Sequence, residues 1–107
     1  MFTADDRDLI VRGLKYVTED LDKNRSIFDV GTLEREVLDK NYAHVVELTE
    51  KNKDAYTSEE KRFILRGLLH LRTDFMKSCE LFHAGTIERE ALDAKLNEIK
   101  KLIDYFG

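Results

Sequence analysis

The residue types that could do chemistry in this chain are few: three histidines, one cysteine and a scatter of carboxylates. A di-metal site in a helical bundle needs a Glu-x-x-His on each of two helices and a further Glu on each of two others. One such match exists, Glu80-Leu81-Phe82-His83, and the positions 54 residues earlier hold Ser26 and Asp29, so the second half of that site is missing. His44 falls on the second expected helix and His70 and His83 on the third, with no spacing that links them. His44 is expected at the surface and His70 at the edge of the core. Cys79 lies near the apolar row of the third helix and reads as a buried, inert thiol rather than a nucleophile. There is no Gly-rich phosphate loop, no Ser/His/Asp arrangement and no zinc spacing. The expectation is no catalytic residue, no metal and no cofactor.

Charged residues recur in a second pattern. Residues 31–39 read Gly-Thr-Leu-Glu-Arg-Glu-Val-Leu-Asp and residues 85–93 read Gly-Thr-Ile-Glu-Arg-Glu-Ala-Leu-Asp. Gly31 and Gly85 suit a left-handed position just past a helix end, and Thr32 and Thr86 suit the cap of the next helix. The glutamates then sit where the helix dipole favours negative charge. Arg35 and Arg89 do not, because a cation in the first helical turn is disfavoured there. Each therefore suggests a specific acceptor: Asp39 and Asp93, four residues along the same helix, or a carboxylate on the paired helix. The reading is a structural turn with a fixed ion pair, with a ligand or partner site as the alternative.

The elements that must position these residues follow from the same offset. Sliding the chain against itself by 54 residues gives an ungapped alignment in which 16 of 53 pairs are identical. That is the fixed-period signature of an internal repeat, residues 1–53 and 54–107. In the first half Thr3 caps a helix expected over residues 4–29, with the apolar row Ile10, Leu14, Val17, Leu21 and Phe28 at helical spacing. A second helix is expected from Leu33 to Lys51. In the second half Thr57 and Glu60 form a capping box, and helices are expected over 58–83 and from Ile87 to Tyr105. A short polar connection, residues 52–56, joins the halves. Gly13 and Gly67 each cost helix stability, roughly 1 kcal/mol against Ala, and their presence predicts close backbone approach between the first and third helices. Short connections make neighbours antiparallel. The fold class is therefore all-α: two tandem helical hairpins in one domain, residues 1–107, forming an up-down-up-down four-helix bundle.

Composition excludes several functions. The chain has 107 residues, is 37% charged with both signs interspersed, and carries a net charge of −4. No basic footprint for nucleic acid emerges: Lys61, Arg62, Arg66 and Arg72 stand among Glu59, Glu60 and Asp74. No apolar run approaches the ~18 residues of a membrane span, and the acidic N-terminal stretch lacks the apolar core of a secretory signal. A single cysteine permits no intrachain disulfide and fits a reducing, cytoplasmic setting.

The halves differ at one flank of the first and third helices. Where the first carries Val11, Lys15 and Asp22, the third carries Leu65, Leu69 and Met76, with Arg72 alongside. The opposite flank, Leu9, Tyr16 and Ile27 against Phe63, His70 and Leu81, is expected to pack between the hairpins. An additional apolar stripe on one helix predicts either a more central place in the bundle or a surface for another chain. The expected function is a non-enzymatic protein-interaction module, a small inhibitor or adaptor of bacterial or phage type acting through a helical face, with a protein partner or self-association. A small-ligand or metal-binding bundle is the alternative, and a nucleic-acid-associated regulator the second.

Overall fold

Each helix begins where a threonine hydroxyl accepts from an otherwise unpaired first-turn amide. In the computed structural model, which describes residues 2–51 and 55–107, Thr3, Thr32, Thr57 and Thr86 are the four N-caps. They open α1 (Ala4–Arg25), α2 (Leu33–Glu50), α3 (Ser58–Cys79) and α4 (Ile87–Phe106). At Thr3 and Thr57 the cap is reciprocal: Asp6 and Glu60 return a carboxylate to the cap amide at 3.1 and 2.9 Å. Part of the expected connection between the halves, Asn52, Lys53 and Asp54, lies outside the described residues.

α1 and α3 end four residues earlier than the apolar periodicity suggests. Beyond Arg25 the amides of Ile27 and Phe28 donate to Asn24 and Arg25 at 3.2 and 3.3 Å, and beyond Cys79 those of Leu81 and Phe82 donate to Ser78 and Cys79 at 3.1 and 3.3 Å. These i→i+3 bonds tighten the last turn and stop the α-helix. The chain then crosses to the next helix through Gly31 at φ 94° and Gly85 at φ 90°, the left-handed region that side chains disfavour. Each glycine stands directly before a capping threonine, several residues beyond the helix end rather than just past it.

The result is an all-α four-helix bundle. α1 packs on α2, α3 packs on α4, and the two hairpins join chiefly through α1 and α3. The fully buried side chains come from all four helices: Leu9, Leu14 and Val17, Val45, Ile64 and Leu68, and Ile99. At the centre of the joint Gly13 faces Gly67. A Cβ on Gly13 would lie 2.8 Å from the carbonyl carbon of Gly67, closer than real contacts allow, so the two backbones touch. At one end Phe2 stacks on Phe106 with centroids 5.6 Å apart and meets Tyr56 at 6.0 Å, which places the starts of α1 and α3 together. The molecule measures 54 × 31 × 21 Å.

Candidate functional site

The hairpin turns hold the arginines. Arg35 Nε donates to Asp39 Oδ1 at 3.0 Å and its Nη1 to the Phe28 carbonyl at 3.2 Å. Arg89 makes the corresponding bonds to Asp93 at 3.2 Å and the Phe82 carbonyl at 3.2 Å, and adds the Cys79 carbonyl at 2.9 Å. A guanidinium that ties down carbonyls at and just beyond the end of the preceding helix offsets its poor placement in the dipole field. The turns differ at one partner. In the first, Arg25 also reaches Asp39 at 3.4 Å, binds Asp22 at 2.9 Å and lies 3.9 Å over the Tyr42 ring. Its pKa is raised, first by the hydrogen bond to Asp22. In the second, buried Cys79 takes that place, its thiol 3.7 Å from Asp93. Gly31 and Gly85 have open space where a Cβ would be. These groups hold the turn, and their donors point inward to carbonyls and carboxylates.

Around the same turns the surface is apolar. Ile27, Val30 and Leu33 of the first turn and Leu81 and Ile87 of the second are exposed, Val30 at 84% and Ile87 at 83%. Ile27 and Leu81 do not pack between the hairpins, because α1 and α3 stop before reaching them; of that expected flank only Leu9 is fully buried, with Tyr16 and Phe63 half-buried. Apolar helical spacing continues through Ile27, Phe28, Leu81 and Phe82, so spacing alone hides this patch.

The α3 stripe is divided by depth. Leu65 is half-buried against the core, while Leu69 is 38% and Met76 50% exposed. Arg72 is half-buried, and its Nε is a buried atom with no hydrogen-bond partner. Leu69 and Met76 therefore add to the exposed apolar surface, and Leu65 supports the helix from beneath.

The histidines occupy three separate places. His44 Nε2 lies 3.0 Å from Glu60 Oε2, and Glu60 is 2% exposed, so this pair links α2 to the start of α3. His70 is exposed rather than at the core edge: it stacks on Tyr16 at 6.1 Å and stands 3.3 Å from Asp20. His83 is exposed in the second turn, where its carbonyl accepts from Thr86. Among the described residues no three His, Cys, Asp or Glu side chains gather as metal ligands. No described helix is long and apolar enough to cross a membrane.

A cleft of about 660 Å³ opens between α1 and α3, beside the glycine crossing. Arg12, Lys15, Tyr16 and Glu19 form one wall, and Leu71, Asp74, Phe75, Lys77 and Ser78 the other. The Tyr16 hydroxyl donates to Asp74 across it. That bond, with burial and the Asp74 charge, holds the phenol above its ordinary pKa. The sequence signal for this cleft is Lys15 of α1, which stands where α3 has the apolar Leu69, but its facing wall cannot be read from one helix alone.

The chain matches no protein-family model, no curated protein and no solved structure.

Proposed function

We propose that the chain is a non-enzymatic protein-interaction module, a small inhibitor or adaptor of bacterial or phage type working in the cytoplasm. The observation that carries this reading is an apolar surface at each hairpin end: Val30 lies almost wholly in solvent in the turn that also exposes Ile27 and Leu33, and Ile87 in the turn that exposes Leu81. Apolar side chains gathered on a protein's surface mark sites where another macromolecule binds. The turn beneath is held by guanidinium bonds to backbone carbonyls, so the patch is presented on a fixed frame. Leu69 and Met76 supply a second, smaller apolar strip on α3, and Met suits an adaptable contact. The partner is a protein or a second copy of the chain, with no nucleic acid, membrane or cofactor involved.

The test compares the wild-type chain with Val30→Glu and Ile87→Glu variants. Both positions are exposed, so helical content and urea melting should be unchanged. Sedimentation and quantitative affinity capture should show the wild type forming an assembly that one or both variants lose. Variants that stay folded and keep every association would remove the hairpin ends from the interface and leave Leu69 and Met76 to be tested in the same way.

A further inference from the structure

The walls of the α1–α3 cleft have a counterpart on the other side of the glycine crossing. Arg66, Leu69, His70 and Thr73 stand 54 positions after Arg12, Lys15, Tyr16 and Glu19, and they line a recess of only about 240 Å³. There Arg66 reaches across to Asp20 at 3.4 Å and His70 approaches the same carboxylate oxygen at 3.3 Å, so α3 side chains fold over the gap. On the open side Arg12 does not cross to Asp74. It turns back to Asp8 on its own helix at 3.1 Å. The cause is in the sequence: α1 has an acid four residues before its arginine, whereas α3 has Arg62 at that place and gives Arg66 no local partner. The helix that satisfies its own arginine leaves the cleft beside it open.

The open cleft has the composition of a binding site. Its volume falls in the range of small-molecule pockets, about 300–1,000 Å³. Its floor is apolar, with Leu71 buried and Phe75 half-buried. Three cations, Arg12, Lys15 and Lys77, face two carboxylates, in a chain whose net charge is −4. One of the carboxylates, Asp74, already accepts from Tyr16. Among the described residues no ion pair engages Lys15 or Lys77, and the exposed Arg12–Asp8 pair is weak enough for a stronger acceptor to replace it. Ser78 adds a hydroxyl at the rim.

We propose that this cleft binds a small amphipathic anion: an apolar, planar body on Leu71 and Phe75 carrying a carboxylate held by Lys15, Lys77 and Arg12. A single negative charge suits the site better than a phosphate dianion, because Glu19 and Asp74 share the rim. None of these residues belongs to the hairpin-end patches, so the site is independent of the interaction surface proposed above.

The test is a titration of the full chain with 2-naphthoate, followed by amide chemical shifts, with the uncharged 2-naphthamide as control. Naphthoate should give saturable shifts centred on Tyr16, Leu71, Phe75 and Ser78. The Lys15→Ala/Lys77→Ala double variant changes two exposed side chains and should melt like the wild type. It should bind naphthoate about fivefold or more weakly, the scale of losing two exposed ion pairs, and naphthamide should bind more weakly to the wild type by a similar factor. The proposal is overturned by any of four results: no saturation at millimolar naphthoate, shifts centred on residues 27–33 or 81–87, equal affinity for naphthoate and naphthamide, or unchanged affinity in the double variant.

Discussion

Gly13 and Gly67 meet backbone to backbone at the centre of the molecule, where α1 of one hairpin packs on α3 of the other. Substituting either by Ala has two opposed effects. The helix gains about 1 kcal/mol of intrinsic propensity. The new methyl meets main-chain atoms that cannot move aside, and overpacking of that kind typically costs about 1–3 kcal/mol. Because the obstacle is backbone, the clash should win, and both Gly13→Ala and Gly67→Ala should lower the urea midpoint. A midpoint raised in both would show that the helices do not cross at these residues.

The turn glycines test a different property. Gly31 and Gly85 have room for a side chain and lack only a favourable φ for one. Gly31→Val and Gly85→Val should each destabilise by about 1–2 kcal/mol, since a β-branched residue is strained at positive φ. Asn tolerates that region, so Gly31→Asn and Gly85→Asn should recover much of the loss in the same thermal melts. Equal effects of Val and Asn would point to crowding instead of conformation.

The two turn arginines are not equivalent. Arg89 holds two carbonyls and Asp93, whereas Arg35 holds one carbonyl and shares Asp39 with Arg25. Arg89→Ala should therefore cost more than Arg35→Ala, about 1–2 against about 0.5–1 kcal/mol on the usual scale of such bonds. A double-mutant cycle between Arg25 and Arg35 should show them partly replacing each other at Asp39.

Alkaline pH should weaken the joint between the hairpins. Tyr16 has a raised pKa in the folded chain, chiefly through its bond to Asp74. A folded pKa above the unfolded value near 10 means that the folded state holds the proton longer. The contribution is fully present below about pH 10 and is lost as pH rises through the folded value. Urea midpoints measured between about pH 8 and pH 11.5 should fall along the upper part of that range, and the fall should be shallower in Tyr16→Phe. Parallel curves for the two proteins would remove the Tyr16–Asp74 bond from the balance.

Much of the fold was legible because it depends on local pattern. Four Thr caps, four apolar rows and the Gly13 and Gly67 positions specify four helices and the pair that must approach closely. Helix ends were less legible: Ile27, Phe28, Leu81 and Phe82 continue the apolar spacing, and only the i→i+3 bonds that close the last turn reveal that the helix has stopped. The Arg35–Asp39 spacing could be read directly, since both residues lie on one helix. The bonds to the Phe28 and Phe82 carbonyls could not, because they depend on how the chain folds back. For the same reason helical spacing puts His70 at the core edge although it lies exposed against Tyr16: a wheel locates a face, and the neighbour that covers or uncovers it is set by the crossing.

The bonds that join the hairpins link residues far apart along the chain: Asp20 to Arg66 spans 46 residues and Tyr16 to Asp74 spans 58, while Arg25 reaches Asp39 across 14. Closing the longer loops carries the larger entropic cost and brings little reward until both partners are in place. Each hairpin should accordingly assemble early and the α1–α3 crossing late. In a kinetic experiment Gly67→Ala should mainly accelerate unfolding, whereas removing Val45, buried where α2 meets α1, should slow refolding. The surface on which the two hairpins meet would then be briefly uncovered in every molecule on its way to the native state. Exchange of one hairpin between two nascent chains at that stage would yield an intertwined dimer, so the rate of the final docking step sets how concentrated the refolding protein can be before partners are traded.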